Sequence, residues 1–336
     1  MTEAAPVSVV IPAYNAARFL PDALDSVGAQ TVPPAEVLVI DDGSTDATGA
    51  LAQSHPVGAR LIRQANAGSA AARNRGLHAA TARYVAFLDA DDVWEPDKLA
   101  RQLAALAASG AAWAYTDAWW IGADGERHGR WGTTHPSPSG DVAAALLRGN
   151  FVVQSSVVAE RAALLAVGGN PETRPGHASI SEDWGLWLRL ATDYPVVSVP
   201  APLVGLRQHD GRKTATMDLD AALAARLGVV ARAVARAPDA LRQHEAHARA
   251  AVHLGIARKW LERGEAATAR RVLWGGLRQD PGHRPSLVFG LASLLPPSAR
   301  RALGRVRAAY RARVASRMEP LPPPPPEAAS RPGGRA

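Results

Sequence analysis

VLVIDDGSTD, residues 37–46, runs from four apolar residues straight into a cluster of acids and turn-forming residues. Residues 84–92, YVAFLDADD, repeat the pattern, with an apolar run before three aspartates. Continuous apolar runs of this kind are typical of strands that are buried on both faces of a parallel sheet. Open parallel sheets bind ligands beyond the carboxyl ends of their strands. Both acidic clusters therefore fall where a ligand site is expected.

Outward from these two segments, apolar runs alternate with amphipathic stretches over residues 7–115. Strands are predicted at 7–12, 36–40, 60–63, 84–88 and 112–115, and helices at 16–30, 45–55, 69–80 and 96–108. This alternation predicts an α/β domain in which helices cover both faces of a parallel sheet. Residues 116–218 have a less regular pattern and are expected to pack on the first half. Residues 218–280 are almost entirely helix-compatible and include most of a predicted helical hairpin at 257–281.

The composition excludes several classes of protein. The chain has 336 residues, 47% of them hydrophobic, which is enough for a large core and excludes disorder throughout. It has no cysteine, and this excludes disulfide scaffolds, thiolate zinc sites, iron–sulfur clusters and cysteine nucleophiles. The N-terminus lacks the pattern of a secretory signal, and no run of about 18 apolar residues is free of charges and helix breakers. We therefore expect a cytoplasmic protein that is soluble or peripheral to a membrane.

The net charge of +7 hides a division between the two ends of the chain. Residues 1–220 carry 17 Lys and Arg against 24 Asp and Glu, whereas residues 221–318 carry 19 against 5. Residues 299–318 are predicted to form a basic amphipathic helix, whose apolar stripe is Leu303, Val306, Tyr310, Val314 and Met318. Two interpretations stay open for this helix: attachment to an anionic membrane surface, or packing on the acidic first part of the chain. A nucleic-acid partner is not expected, because no zinc-finger, RNA-recognition or helix-turn-helix pattern accompanies the charge.

The acids at residues 89–92 raise a problem of charge repulsion. Three carboxylates within four residues repel one another unless a cation neutralises them. Carboxylate oxygens favour Mg²⁺ or Mn²⁺, and a metal held together with a diphosphate fits such a cluster. The alternative is that the acids only form turns and helix caps. In that case Thr45 or Asp46 would cap the helix that follows them, and Asp92 would cap the helix near Pro96.

Four ordered blocks of sequence carry a resemblance to a known family. They are VSVVIPAYN at 7–15, VIDDGSTD at 39–46, NAG at 66–68 with ARNRG at 72–76, and FLDADD at 87–92. Together they resemble family 2 glycosyltransferases of the GT-A fold, over roughly residues 5–215. The resemblance implies a GT-A nucleotide-diphospho-sugar transferase fold, which is an α/β fold with a Rossmann-like mixed sheet, followed here by a C-terminal α-helical extension.

This resemblance also implies a domain organisation. Residues 1–218 would be the GT-A domain, with a nucleotide-binding half at 1–115 and an acceptor half at 116–218. Residues 219–318 would be the basic helical extension, and residues 319–336 a disordered Pro-rich tail.

The implied activity is an inverting, metal-dependent transfer of a sugar from a nucleoside-diphosphate sugar to an acceptor hydroxyl. The cofactor would be Mn²⁺ or Mg²⁺, and the metal would act as a Lewis acid on the leaving diphosphate. Relatives imply a saccharide or lipid-linked acceptor in the synthesis of cell-envelope polysaccharide, glycolipid or glycoprotein. Such acceptors agree with peripheral attachment to the inner face of the plasma membrane.

The residues that the resemblance assigns to the donor come from the four blocks. Pro12, Ala13 and Tyr14 would line the base and ribose, Asp42 would hydrogen-bond the base, Asn66 and Gly68 would approach the donor, Arg73 would reach its phosphates, Asp89 would face the ribose, and Asp91 would bind the metal. Arginine pairs with phosphate bidentately, but Arg73 is equally well explained as a surface residue. A plain turn is the alternative for Asn66 and Gly68.

The acceptor side is assigned from Ser181-Glu182-Asp183-Trp184. By resemblance Asp183 is the base that takes the proton of the attacking hydroxyl, Glu182 assists it, and Trp184 touches the acceptor. The alternative is that Ser181 and the two acids only cap a helix and complement its dipole.

A later segment, residues 204–211, resembles the Tyr-Arg-x-His segment of relatives, with Leu206 in place of the aromatic residue. His209 would approach the metal, and Arg207 would face the phosphates. A structural role is the alternative for the histidine.

Two other functions remain as alternatives. A nucleotidyltransferase also combines a nucleotide-binding sheet with metal-binding acids, but it needs a Gly-rich basic loop after the first strand, where this chain has Pro12-Ala13-Tyr14-Asn15. A catalytically inactive sugar-binding or scaffold relative is the other, and the joint presence of Asp42, Asp89, Asp91 and Asp183 argues against it.

Overall fold

The computed structural model describes residues 4–171, 180–211 and 217–294. Its strands are β1 (Ala5–Ala13), β2 (Pro34–Asp41), β3 (Arg60–Arg63), β4 (Tyr84–Phe87), β5 (Val93–Trp94), β6 (Trp113–Ile121), β7 (Arg127–Arg130), β8 (Val158–Glu160) and β9 (Val196–Arg207). Its helices are α1 (Leu20–Gly28), α2 (Thr48–Ser54), α3 (Ser69–Ala79), α4 (Lys98–Ser109), α5 (Ala143–Arg148), α6 (Arg161–Ala166), α7 (Glu182–Asp193), α8 (Leu219–Arg236), α9 (Pro238–Leu241), α10 (Glu245–Glu262), α11 (Ala266–Gln279) and α12 (Arg284–Ser293). The predicted basic helix at 299–318 and the Pro-rich tail at 319–336 lie outside the described residues.

The strands form one mixed sheet in the order β3-β2-β1-β4-β8-β6-β9-β5, and β7 pairs with β6. The first four strands are parallel, with Val9 of β1 opposite Val37 of β2 and Val10 opposite Phe87 of β4. β8 runs antiparallel to both β4 and β6, whereas β9 runs parallel to β6. The predicted parallel sheet is therefore confirmed for residues 5–87, and the later strands make the sheet mixed.

Side chains of β1 alternate between two cores. Val9 and Ile11 pack with residues of α1 and α4 on one face of the sheet. Val10 packs on the other face with residues of α3 and α7 and with Val230 of α8 and Val252 of α10. The period-two alternation of a strand explains this division. The C-terminal helices thus share a core with the sheet.

Gly76 brings α3 unusually close to the sheet. A Cβ atom at this position would collide with the side chain of Val10 in β1. The close approach fixes the height of α3 over β1 and β2, because close-packed interiors leave no slack. One turn earlier in the same helix, Arg73 is thereby brought over the end of β4.

Most predicted elements of the first 115 residues are confirmed, with shifted ends. The helix predicted from residue 16 begins at Leu20, because Pro21 suits only the first turn of a helix. Asp46 accepts a hydrogen bond from the Thr48 backbone N–H at 3.0 Å, as expected of a residue that ends the turn before α2.

The helical hairpin predicted at 257–281 corresponds to the end of α10 and to α11, which turn at Gly264 with a φ of 85°. The next helix, α12, has polar residues on its buried face and apolar residues on its exposed face. Its buried residues are Ser286 and Ser293, whereas Leu287, Val288, Leu291 and Leu294 at its end are between 45% and 71% exposed. Among the residues that the structure describes, no helix combines the length and hydropathy needed to span a bilayer.

Candidate active site

A cavity of about 1170 Å³ opens at the carboxyl ends of β1, β2 and β4. The strand ends contribute Pro12, Ala13, Tyr14, Asp42, Asp89 and Asp91 to its wall. Further parts of the wall come from residues 148–154, from α3, α7, α8 and α10, from Trp120 and Trp131, and from the end of β9 with His209. The cavity therefore lies where the sequence predicted a ligand site, and residues 148–154, α8 and α10 are the parts of its wall that the sequence did not connect with it.

Asp42 organises the loop that follows β3. Its carboxylate accepts hydrogen bonds from the Gln64 side chain at 2.7 Å and from the backbone N–H groups of Ala67 and Gly68 at 2.9 and 2.8 Å. Gly68 has a φ of 90°, which favours glycine at this position. Asp42 lines the cavity, whereas Asn66 and Gly68 do not. These two residues shape the loop behind Asp42, and their predicted approach to a donor stays a prediction.

Tyr14 follows β1 and lines the cavity with its side chain 52% exposed. The next residue, Asn15, has a φ of 48°, and its backbone N–H donates to Ser44 at 3.0 Å. Thr45 donates its own backbone N–H to the Asn15 side chain at 2.9 Å. The loops after β1 and β2 are thus bonded together, and an exposed aromatic ring lies beside the buried carboxylate of Asp42.

Arg73 is a buried cation between two carboxylates. Its Nη2 lies 2.6 Å from Asp89 Oδ1, and its Nη1 lies 3.5 Å from Glu182 Oε1. Burial alone would lower the pKa of Arg73, but the charges of Asp89 and Glu182 outweigh it and raise the pKa above its ordinary value. Arg73 is not the surface residue of the alternative interpretation, since its side chain is 7% exposed. It joins the end of β4 to the start of α7.

Asp91 and His209 lie side by side in the cavity wall. His209 Nε2 is 3.0 Å from Asp91 Oδ2, and both residues line the cavity. In the described parts of the chain, neither this site nor any other brings together three or more His, Asp or Glu residues that could hold a metal ion without further ligands. A carboxylate with an imidazole nevertheless fits a divalent cation that takes its other ligands from a bound diphosphate, as Mg²⁺ commonly does. The residues present therefore fit the expected metal.

Asp92 and Arg207 are held beneath this wall. Asp92 does not cap the helix after Pro96, since α4 begins at Lys98 and Asp92 is 1% exposed. It accepts hydrogen bonds from Ser155 Oγ at 2.6 Å and from the Arg207 backbone N–H at 3.0 Å. Burial, and then the neighbouring charges of Asp91 and Asp89, raise the pKa of Asp92.

The expectation that Arg207 faces phosphates is wrong. Its guanidinium binds the backbone oxygens of Asp91 at 2.9 Å and Ala123 at 3.0 Å and the Asp22 carboxylate at 2.8 Å. It also lies over the ring of Phe19, 4.8 Å from the centroid. Its side chain is 3% exposed, so Arg207 fixes the Asp91 turn from behind.

Asp183 lies in the first turn of α7 and lines the cavity. Its Oδ2 accepts a hydrogen bond from Asn150 Nδ2 at 2.9 Å. Burial, and then the charge of Glu182, raise the pKa of Asp183 to about 6. A carboxylate with this pKa is ionised at neutral pH and is a stronger base than an exposed aspartate. Glu182 beside it accepts a hydrogen bond from Ser69 Oγ at 2.8 Å as well as facing Arg73.

The start of α7 is not a side-chain cap. Ser181 has a φ of 60°, in the left-handed region, and its side chain makes no capping hydrogen bond to the helix. Its Oγ instead lies 3.3 Å from the Nε of Arg226 in α8. Non-glycine residues with positive φ often mark functional sites, and this one lies directly before the two acids.

Trp184 points from α7 into the core. It is 4% exposed, and its indole N–H donates to the Leu146 carbonyl oxygen at 2.7 Å, although part of the residue reaches the cavity wall. Trp120 and Trp131 are the partly exposed indoles of the cavity, and their ring centroids are 5.3 Å apart. Contact of Trp184 with an acceptor stays a prediction.

The cavity residues that the sequence did not reveal include the polar side chains Arg148, Asn150, Gln154, Arg226 and Lys259. Asn150 contacts Asp183 across 33 residues of sequence. Gln154 is 6% exposed, and neither its Nε2 nor its Oε1 has a hydrogen-bond partner in the described residues. No local motif surrounds these positions, so only the fold could have revealed them.

The first part of the chain is similar to known proteins. Residues 8–148 match the family model of glycosyl transferase family 2. A glycosyltransferase of Bacillus subtilis (strain 168) named for teichuronic acid biosynthesis, TuaG, is 40% identical over 114 residues, which cover 33% of this chain and 45% of that protein. An uncharacterized glycosyltransferase of Nostoc, alr2836, is 48% identical over 99 residues, covering 28% of this chain and 31% of that protein. The chain thus matches less than half the length of these curated relatives.

Solved structures resemble a much larger part of the chain. Staphylococcus aureus TarS 1-349 in complex with UDP-GlcNAc has a TM-score of 0.62 at 17% identity and covers 83% of this chain and 81% of that one. The mannosyltransferase PcManGT from Pyrobaculum calidifontis, in complex with GDP-Man and Mn²⁺, has a TM-score of 0.57 at 20% identity and covers 94% and 90%. These likenesses show that the chain has the GT-A fold.

Proposed function

Since residues 8–148 match the family model of glycosyl transferase family 2, we propose that this chain is an inverting glycosyltransferase that moves a sugar from a nucleoside-diphosphate sugar to an acceptor hydroxyl. The process we propose is the synthesis of envelope polysaccharide, as the name of the relative TuaG suggests for that protein. The acceptor that we propose is a saccharide or a lipid-linked saccharide.

One observation carries the proposal. Asp91 with His209, and Asp183 with its pKa raised to about 6, line the same cavity at the carboxyl ends of the parallel strands. Glycosyl transfer with inversion needs a site for the leaving diphosphate and a base for the attacking hydroxyl. An inactive binding module has no need for a carboxyl whose pKa is shifted towards neutrality. A nucleotidyltransferase has no support in the residues after β1.

Each part of the cavity then has a role. Asp91 and His209 would hold Mn²⁺ or Mg²⁺, which neutralises charge on the leaving diphosphate when it is bound. Asn150 holds one carboxylate oxygen of Asp183, and the other oxygen takes the proton of the acceptor hydroxyl. Arg73 binds both Asp89, on the ribose side of the cavity, and Glu182, beside the catalytic base Asp183. It thereby fixes the distance between these two sides. Tyr14 and Asp42 would receive the nucleoside.

The first test is thermal unfolding of the protein with UDP, GDP, dTDP or CDP, each with and without Mn²⁺. A nucleotide that binds only the native state raises the unfolding temperature by mass action. We expect one nucleotide to give a shift that needs Mn²⁺ and is lost in Asp91→Ala. The control variant is Asp124→Ala, which changes an exposed aspartate that does not line the cavity. Absence of a shift for all four nucleotides would overturn the proposal.

We also propose that the protein attaches peripherally to the inner face of the plasma membrane. The support is the exposed apolar face of α12, together with Trp274 of α11, which is 60% exposed. Neither helix contains an acidic residue, and their four arginines are Arg270, Arg271, Arg278 and Arg284. Exposed bulky apolar residues and exposed cations on the same two helices suit an anionic bilayer surface.

Vesicle flotation tests this attachment. We expect the protein to float with vesicles that contain phosphatidylglycerol, and Leu291→Ser with Leu294→Ser to reduce the floated fraction. Leu261→Ser, in a less exposed position at the end of α10, is the comparison variant. Equal flotation on purely zwitterionic vesicles, or a concentration-dependent dimer that the double variant abolishes, would contradict the attachment.

A further inference from the structure

The part of the cavity wall that the C-terminal helices form is basic on balance, with two cations, Arg226 and Lys259, and one acid, Asp218, directly before α8. α8 contributes Ala221 and Arg226, and α10 contributes Ala251, Val252, Gly255 and Lys259. Positions 251, 255 and 259 are four residues apart and therefore lie on one face of α10. A Cβ at Gly255 would have no neighbour within 4 Å, so this face borders open space. Lys259 stands on the same face as this space.

The structure describes no carboxylate partner for the cations of this wall within residues 4–171, 180–211 and 217–294. Arg148, Arg226 and Lys259 form no ion pair with any residue in the described ranges. Two other arginines of the same helices, which do not line the cavity, are paired: Arg236 with Asp193 and Arg249 with Glu245. Within the described residues, these three cations of the cavity wall thus lack the counterions that Arg73, at the strand ends, has.

Arg226 is the cation of this basic wall that contacts the residue before α7. Its Nε lies 3.3 Å from Ser181 Oγ, directly before the two acids of α7. Burial lowers its pKa, and the charge of Asp183 opposes that effect. A partly buried guanidinium that is not paired with a carboxylate binds an anion strongly, since it is already partly removed from water. Its fork of N–H groups suits phosphate or carboxylate oxygens.

We propose that the acceptor is anionic, and that Arg226 and Lys259 bind a phosphate or carboxylate that it carries close to the accepting hydroxyl. This inference rests on the proposed function and names the substrate class of the same site. The acidic end of the cavity takes the donor and its cation, and the basic wall selects an acceptor that bears negative charge. Arg148, on the loop side, adds to the same field.

The experiment compares matched pairs of small probes on protein saturated with Mn²⁺ and the nucleotide that the unfolding panel identifies. The pairs are glycerol 1-phosphate with glycerol, and glucuronate with glucose, and dissociation constants are measured by NMR titration. We expect the anionic member of one pair to bind at least about tenfold more tightly than its neutral partner. The pair that shows the larger ratio distinguishes a phosphate-bearing from a carboxylate-bearing acceptor.

Variants locate the preference. Arg226→Gln with Lys259→Gln is expected to reduce the ratio to near one and to leave the affinity for the nucleotide unchanged. Arg232→Gln, an exposed residue of α8 that does not line the cavity, is the matched control and should keep the wild-type ratio. Raising the ionic strength should reduce the wild-type ratio but not affinity for the neutral probes.

Two results would overturn the inference. An unchanged ratio in the double variant would show that the basic wall does not select anions. A loss of nucleotide affinity in the double variant as large as the loss of probe affinity would assign the wall to the donor phosphates. The nucleotide titration of the wild-type protein reports separately on the proposed function, so the two failures are distinguishable.

Discussion

The two ends of the cavity satisfy their charges in opposite ways. At the strand ends each acid has a partner: Asp42 receives three hydrogen bonds, Asp89 faces Arg73, and Asp91 faces His209. At the helical end Arg226 and Lys259 have no carboxylate partner in the described residues. A site whose own groups hold its charges is preorganised, whereas a site with unpaired charge depends on its ligand. The difference suggests that the donor end is built in advance and that the acceptor end is completed by the substrate.

The largest effect is expected from substituting Asp183, the proposed catalytic base between the two ends of the cavity. Asp183→Asn keeps the hydrogen bond geometry but removes the base, so we expect transfer to fall by a factor of about 10² to 10⁴ while nucleotide binding persists. The measurement is release of nucleoside diphosphate in the presence of an acceptor. Asp193→Asn, at the other end of α7, should transfer at the wild-type rate. An unchanged transfer rate in Asp183→Asn would show that Asp183 is not the catalytic base.

The stability of the donor end is tested at Asp42, whose carboxylate accepts three hydrogen bonds. Asp42→Ala leaves the Gln64 side chain and two backbone N–H groups without their acceptor, and we expect a loss of about 2 kcal/mol in the free energy of unfolding. Asp42→Asn retains one acceptor oxygen and should lose less. Chemical denaturation measures both. Equal stability of Asp42→Ala and the wild-type protein would show that the loop does not depend on Asp42.

The pH dependence of the transfer rate reports on the ionisation of the proposed base, Asp183. Since the base must be ionised and the pKa of Asp183 is about 6, transfer should fall about tenfold per pH unit below 6 and level off above it. Asn150→Ala removes a hydrogen bond to the charged form, so it should raise this pKa by less than about one unit. The pH profile of kcat would then shift to higher pH. If the pH profile of kcat is the same in Asn150→Ala and in the wild-type protein, Asn150 does not affect the pKa of Asp183.

The last comparison takes two glycines, one in α10 at the helical end of the cavity and one in α3, which packs on β1. Gly255→Ala adds a Cβ to α10 where there is open space, so we expect a gain of about 0.5 to 1 kcal/mol in the free energy of unfolding. Gly76→Ala adds a Cβ that meets Val10, so its effect should have the opposite sign and cost about 1 to 3 kcal/mol. Denaturant unfolding of both variants measures the contrast. A loss of stability in Gly255→Ala would mean that this face of α10 is already filled.

Local signals made the donor end predictable from the sequence. Apolar runs that end in Asp41-Asp42 and in Asp89-Ala90-Asp91 specify both a strand and the chemistry at its carboxyl end. Helix ends were less exact, because residue-level effects such as Pro21 in the first turn of α1 decide them.

The acceptor end was not predictable, because it depends on contacts between distant segments. Asn150 contacts Asp183 across 33 residues, and Arg226 contacts Ser181 across 45. Arg207 shows the opposite error, since an arginine in a phosphate-like motif is used to hold the Asp91 turn. Nothing in the periodicity of α12 shows which of its faces is exposed, because its packing on α10 and α11 decides that.

The position of β8 and β9 in the sheet has a consequence for biosynthesis. The segment that matches the family model ends at residue 148, yet β8 lies between β4 and β6, and β9 lies between β6 and β5. As the chain leaves the ribosome, β4 and β6 must keep unpaired edges until residues 158–207 have been made. Open apolar strand edges favour association with other chains. A gene truncated after the family-matching segment is therefore expected to yield an aggregating product rather than a smaller enzyme.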